Sequence, residues 1–292
     1  MDGTRALIDL THPLDETIPV YPGDPSFSSN PLPVEGYSVH ALSLSSHAGT
    51  HVDAPSHFFP NLSTIDQIPL HCFVRPALVL DLTHKKARER ITWDDLKMHE
   101  GSMSEGITVL VMTGWSRFWG RDEYFDHPWI EREAAEKMVE RGVKLVGTDT
   151  MSPDQSPCVF KCTNSDTSTV EDSGFGVHEV VLGAGCIIAE NLTNLEALKD
   201  LQDLTGSKLI VSLMPLKIAG CDGSPMGLSM RIGHVEVSAY DDALNEIRMS
   251  YRAIPNKIAS RLAMASQPIQ SPAAHSDVNF TVVARYVAHL SM

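Results

Sequence analysis

Short apolar runs separated by stretches rich in proline, glycine and charge dominate the chain. Pro76-Ala-Leu-Val-Leu-Asp-Leu82 and Ile107-Thr-Val-Leu-Val-Met-Thr113 are nearly continuous in apolar residues, the pattern of strands buried on both faces. Ala6–Leu10, Val143–Asp149, Cys186–Leu192, Leu209–Leu213 and Ser229–Val237 read as further strands. Tyr37–Ser46 is β-leaning, with Leu42 and Leu44 two apart, and predicts a half-buried strand. Residues 130–141 form the clearest helix, with Ala134, Ala135, Met138 and Val139 on one face, charges opposite, and Gly142 as the stop. Thr92 ahead of Asp94 and Asp95 marks the N-cap and acidic first turn of a helix over 92–100. Phe175–Leu182 begins a helix or turn that presents His178. Between Pro13 and Pro33 the chain reads as a loop or extended arm, in which Pro22-Gly23 is a turn that holds Tyr21. Ser152–Gly176 is polar and reads as a long loop, of the kind that often serves as a lid. Buried strands alternating with few long helices predict an α/β chain in one domain.

Composition narrows the partners. With 42% hydrophobic and 21% charged residues over 292 positions, the chain has the make-up of a soluble globular protein. No run approaches the ~20 apolar residues that span a bilayer. The start, Met-Asp-Gly-Thr-Arg-Ala, is not a secretory signal, so a cytoplasmic location is the expectation. Against 37 acidic residues stand 23 Lys and Arg, a net charge of −14 that argues against nucleic acid or anionic membrane as partner. Cys72, Cys158, Cys162, Cys186 and Cys221 are odd in number and lack a zinc-ribbon pattern, which predicts free thiols in a reducing compartment. Cys158 and Cys162 have no second pair to complete a site.

The densest chemistry lies in His47-Ala-Gly-Thr-His51-Val-Asp53-Ala-Pro-Ser-His57. Gly49 and Pro55 oppose a helix there. In an extended run His51 and Asp53 project to the same side, and Gly49-Thr50 must bend the chain back for His47 to join them. Two imidazoles and a carboxylate that leave a position open for water form a catalytic metal shell. Any one of these histidines alone is better read as a satisfied core imidazole; the set, with glycine and proline placed to fold it, favours the metal. Glu190 ends an apolar strand and needs a partner, either a cation or a Lys or Arg. Asp149 at a strand end is a ligand, a turn residue or a support for the site. The Gly220–Gly227 loop has neither the Walker A nor the Gly-x-Gly-x-x-Gly pattern, and the absence of Gly-x-Ser-x-Gly argues against a serine hydrolase.

His47-x-Gly49-Thr50-His51-x-Asp53-x-Pro55-x-His57 resembles the signature of the metal-dependent cyclase family, whose members include bacterial kynurenine formamidase and isatin hydrolase. Thr17–Pro25, Gly147–Thr150, His178 with Glu190-Asn-Leu192, Leu216–Gly220 and Gly223-Ser-Pro225 follow in the family's order, so the resemblance covers about residues 5 to 240. It implies a compact β-rich core flanked by helices, of the swivelling β/β/α type, and usually a homodimer. Residues 241–292 lie beyond it as a C-terminal extension, with 256–264 helical, 266–276 a linker and 279–290 apolar enough to pack on the same chain or a partner.

The resemblance also implies a site. His47, His51 and Asp53 hold a Zn2+ or Mn2+ ion, His178 and Glu190 complete its shell or hold a second ion, and His57 relays protons. Tyr21, where formamidases tend to carry tryptophan, and Trp115 are expected pocket walls, joined by Phe58 and Phe59. The ion lowers the pKa of bound water towards ~7 and polarises a carbonyl. The expectation is therefore a hydrolase of a non-peptide amide whose substrate is a small, flat aromatic carbonyl compound. A cyclase, lactonase or dehydratase using the same ion is one alternative. A metal-stabilised binding protein without turnover is the other, and His57 argues against it.

Overall fold

Two apolar runs of the sequence become the middle of a sheet because neither has a polar face to offer water. In the computed structural model, which describes residues 7–157, 174–206, 209–227 and 230–231, these runs are neighbouring parallel strands. The strands in chain order are β1 (Leu7–Ile8), β2 (Ser28–Pro31), β3 (His40–Ser43), β4 (His51–Asp53), β5 (Val74–Asp81), β6 (Arg90–Ile91) and β7 (Thr108–Met112). After them come β8 (Trp129–Ile130), β9 (Leu145–Thr148), β10 (Ile187–Glu190), β11 (Leu209–Ser212), β12 (Gly223–Pro225) and β13 (Met230–Arg231). The α-helices are α1 (Trp93–Leu96), α2 (Arg132–Glu140), α3 (Gly176–Gly183) and α4 (Leu195–Thr205).

Nine strands form one sheet in the order β1-β13-β11-β5-β7-β9-β10-β4-β12. β5, β7, β9 and β10 run parallel, and β4 and β12 add antiparallel at one side. Alternate residues of the central strands feed two separate cores. Leu110, Met112, Leu145, Ile187 and Ala189 pack with Leu195, Leu198 and Leu201 of α4. Val109, Val111, Val146 and Ile188 pack on the other face with Ala134, Ala135 and Met138 of α2 and Val177, Val181 and Leu182 of α3. This is an α/β fold, a β-rich core flanked by helices, and burial on both faces explains the unbroken apolar runs.

Several expectations change in detail. Tyr37–Ser46 is not a half-buried strand: among the described residues β3 pairs only with β2, and every residue of β3 is exposed. The 220–227 segment is not all loop, since Gly223–Pro225 pairs with β4. The helix at 92–100 is one α-helical turn, with a Thr92–Asp95 capping box, continued as a 3-10 helix over Lys97–Ser102. Helix α4 was not anticipated. No helix among the described residues is long and apolar enough to cross a membrane. The Cys158–Cys162 pair, most of the 152–176 loop, the 229–237 strand apart from Met230–Arg231 and the whole 241–292 extension lie outside the described residues.

Candidate metal centre

The middle of the motif, His51–Asp53, is strand β4. Gly49 has φ of +61°, where a side chain would be strained and would also run into Leu14, and this turn brings His47 back over β4. In β4, His51 and Asp53 share a face while Val52 points into the opposite core. β10 pairs antiparallel with β4 in a register that sets Glu190 opposite His51. Directly opposed residues project to the same side, so the glutamate joins the histidine and aspartate. Helix α3 covers this face and presents His178. Asp154 fixes that helix by accepting from the Val177 N–H (2.8 Å), the His178 N–H (3.1 Å) and His178 Nδ1 (2.6 Å).

The side chains converge on two adjoining positions. Around the first, Asp53 Oδ1 is 2.7 Å from His47 Nδ1 and 3.3 Å from His51 Nε2, and Glu190 Oε2 is 3.3 Å from the same His51 nitrogen. Around the second, His178 Nε2 is 3.6 Å from Asp53 Oδ2 and 3.4 Å from Glu190 Oε1. Two three-residue groups with metal-ligating atoms, His47/His51/Asp53 and Asp53/His178/Glu190, therefore share Asp53. His51 Nε2, Asp53 Oδ2 and Glu190 Oε1 are buried without a hydrogen-bond partner, because these approaches are unaligned or long. Each such orphan costs about 1–3 kcal/mol or more if charged. A divalent cation at these positions would satisfy all three atoms, and the nitrogen and carboxylate donors suit zinc or manganese. The residues present fit the ion.

Electrostatics give the same account. Burial opposes charge on His47 and His51, yet the carboxylates beside them outweigh it and raise the two imidazoles to about 10 and about 9. His178, also opposed by burial, is held well above the ordinary value by Asp154, Asp53 and Glu190. Burial pushes Asp53 and Glu190 up, but the histidines hold both below the usual carboxylate range. Carboxylates packed this densely need positive charge. Protons supply it in the protein alone, and a bound metal ion would take their place by displacing them.

Around the ligands lies a supporting frame. Asn191, directly after Glu190, has φ of +57°. It donates from Nδ2 to the Gly49 carbonyl (2.9 Å), accepts from the Thr50 hydroxyl at its carbonyl (2.7 Å) and from Tyr124 at Oδ1 (2.8 Å). The Gly49 carbonyl also accepts from His51 Nδ1 (2.9 Å), which leaves Nε2 to face the carboxylates. Asp149 ties strand ends together instead of entering the cluster: it accepts from Thr113 N–H and hydroxyl, Gly114 N–H and Trp115 N–H at 2.6–3.1 Å. Burial pushes its carboxyl up to about 6 against those donors.

His57 ends a 3-10 turn, Pro55–His57, that starts at the proline. Its ring centroid lies 4.1 Å from that of His47. Its Nδ1 is 3.1 Å from Asp222 Oδ2, and the same oxygen is 3.1 Å from His47 Nε2. Those two hydrogen bonds hold the Asp222 carboxyl far below the usual range. Sequence reasoning missed both Asp154 and Asp222. Asp154 is one acid in a polar stretch, and Asp222 only gains meaning from the pairing of β12 with β4.

The four expected pocket walls separate. Tyr21 lines a cavity of about 310 Å³ together with Arg88, Gln155, Ser156, Pro157, Gly174 and Phe175. Burial and the Glu190 charge raise its phenol above the ordinary value. Phe58 stacks on the His178 ring at 4.8 Å and meets Phe175 at 5.3 Å. Phe59 does not line the cavity; it packs beneath α3, where a Cβ on Gly183 would meet its ring at 3.2 Å. Trp115 is likewise a packing residue, buried with Tyr124 and Met151 and donating from Nε1 to the Glu123 carbonyl (3.1 Å).

Comparison with known proteins adds a family. The profile of the Cyclase family, described as “Putative cyclase”, matches residues 8–155. Kynurenine formamidase of Geobacillus thermodenitrificans is 29% identical over 231 residues, 77% of this chain and 96% of that protein. Isatin hydrolase A from Labrenzia aggregata, solved with bound benzyl benzoate, superposes with a TM-score of 0.66 at 25% identity, over 79% of this chain and 94% of that one. A predicted metal-dependent hydrolase from Bacillus stearothermophilus shares the fold, with a TM-score of 0.60 at 24% identity, over 78% and 99%.

Proposed function

The chain belongs to the cyclase family and is an amide C–N hydrolase, and from that premise we propose that it hydrolyses an aryl formamide or a cyclic amide with a divalent ion, zinc or manganese. The observation that carries the metal is a set of three buried polar atoms without partners at the two adjoining positions, His51 Nε2 at the first and Asp53 Oδ2 and Glu190 Oε1 at the second. His47, His51 and Asp53 would hold one ion; His178 and Glu190, with Asp53 shared, would hold a second. When bound, such an ion polarises a carbonyl and makes water more acidic.

The chain's own groups do the rest. His57 accepts a proton from the attacking water as the new C–O bond forms, and returns it to the amine nitrogen as the C–N bond breaks. Tyr21 and Phe175 give the cavity flat walls, which suit a flat ring. The net charge of −14 disfavours a strongly anionic substrate at long range, and Arg88 on the cavity wall is already paired with Asp126 (3.3 Å).

The experiment is turnover of a panel of aryl formamides, isatins, aryl lactones and dipeptides by protein loaded with zinc or manganese. Aryl formamides or isatins should be the best substrates, with Tyr21→Ala raising KM for them. Preference for dipeptides, or unchanged kinetics in Tyr21→Ala, would overturn the substrate assignment.

A further inference from the structure

The cluster of His47, His57 and Asp222 joins the expected metal shell to the proton relay through one oxygen. Asp222 stands immediately before β12, whose register with β4 places Gly223 opposite Asp53. The Ala54 N–H donates to the Asp222 carbonyl (2.8 Å), so its backbone is fixed to the residue that follows ligand Asp53. Gly223 lets the two strands and the His47 ring close up: a Cβ there would lie 2.8 Å from His47 Cε1 and 2.9 Å from the Val52 carbonyl. The ring of His47 therefore lies over the glycine, and its outer nitrogen meets the aspartate.

The inner nitrogen, Nδ1, faces Asp53 and the shared ligand position, so Nε2 carries the proton that Asp222 Oδ2 accepts. His57 uses the opposite nitrogen: its Nδ1 donates to the same Oδ2. An ionised carboxylate can only accept, so in neutral His57 this contact selects the tautomer with the proton on Nδ1 and the lone pair on Nε2. That is the form a proton acceptor needs. Ser46 Oγ donates to the other oxygen, Oδ1, at 2.9 Å and sets the rotation of the carboxylate.

We propose that Asp222 is a positioning residue for hydrolysis, which holds the relay His57 in its reactive tautomer and orients the metal-facing His47 with the same carboxylate oxygen. The inference rests on the hydrolase reading for its kinetic consequence, and on the hydrogen bonds alone for its spectroscopic one. A base oriented by a third group is a recurrent device of acid–base catalysis. Acceptors behind a metal-ligating histidine change ion affinity by about 10–100-fold. Asp222 shares both duties, so its loss should touch turnover and metal affinity through different histidines.

The test uses the full chain and Asp222→Asn, which keeps the shape and removes the charge. In zinc-loaded wild-type protein, 15N NMR should show His57 protonated at Nδ1; in Asp222→Asn that signal should give way to a mixture of tautomers. Turnover at saturating zinc should fall about tenfold to a hundredfold in kcat with KM within twofold. Zinc affinity should fall about tenfold at unchanged stoichiometry. In a His57→Ala background the kcat loss should disappear and the affinity loss should persist. Ser46→Ala, which leaves the carboxylate in place but unanchored, should show the same changes at smaller size.

An unchanged His57 tautomer, or an equal kcat loss with and without His57, would overturn the proposal and leave a structural role. Loss of one zinc per chain in Asp222→Asn would overturn it in another way, by making Asp222 a ligand. Should no amide be turned over by the wild-type protein, the hydrolase reading fails, while the tautomer and the zinc affinity still decide the part played by Asp222.

Discussion

His51 and His127 are both 2% exposed, and their surroundings give them opposite chemistry. His127 donates from Nδ1 to the Pro128 carbonyl (2.8 Å), which leaves Nε2 to accept from the Ser156 hydroxyl (2.7 Å). Both nitrogens are satisfied by uncharged oxygen, and burial pushes the imidazole down to about 4. His51 has one nitrogen satisfied by the Gly49 carbonyl and the other turned, without a partner, towards Asp53 and Glu190. Burial acts on it too, but the carboxylates raise it to about 9. Equal burial thus gives a structural histidine in one corner and a candidate ligand in the other. What faces the second nitrogen decides which.

The largest expected contrast is between substitutions at these two positions. His51→Ala should lose bound metal, read by elemental analysis, and all measurable turnover, since one bond to the ion disappears. His127→Gln should keep both; a metal-free His127→Gln protein, or a fully loaded His51→Ala protein, would break the comparison. Next in size is His57→Ala, which should retain the ion and lose about 10²–10⁴-fold in kcat. Loss of metal there would make His57 a ligand instead of a relay.

The low position of His127 has a consequence for stability against pH. Native protein keeps this imidazole neutral down to about 4, whereas the unfolded chain takes up the proton near 6.5. Unfolding therefore binds a proton in that window, so the contribution is present above pH 6.5 and is lost as pH falls towards 4. The difference corresponds to about 3 kcal/mol. Denaturant unfolding at pH 7 and pH 4 should show a smaller fall in His127→Gln than in the wild type. An identical fall in the two proteins would mean that another group carries it. Smallest is Glu190→Gln, which should keep the fold and weaken ion binding by about 10–100-fold in a metal titration. Unchanged ion affinity with a lowered Tm would instead make Glu190 a partner in a buried ion pair.

Much of this arrangement is legible along the chain, where the signal is local. Strands β5 and β7 and helix α2 follow from their apolar periods, and the HxGTHxDxPxH run shows its own chemistry because its ligands lie within eleven residues. Long-range pairing is not legible in the same way. Asp222 reaches His57 across 165 positions, and nothing in Cys221-Asp222-Gly223 announces the strand beside it. Tyr37–Ser46 carries strand-like residues, yet among the described residues its only partner is β2, and β3 stays exposed. Trp115 shows the limit for aromatic residues: a tryptophan after a buried strand suits a pocket or a core, and only the Glu123 and Tyr124 contacts choose the core. Helix α4 left a readable trace, Leu195, Leu198 and Leu201 at three-residue spacing, which the polar residues between them diluted.

Whether the carboxylate-facing histidines hold a working ion is the central claim, and metal content measured together with activity tests it most directly. Purified protein should contain zinc or manganese at one or two ions per chain, lose amide hydrolysis on chelation and recover it when the same ion returns. Protein that stays metal-free after incubation with both ions, or that hydrolyses its amide substrate equally well before and after complete chelation, would contradict the account.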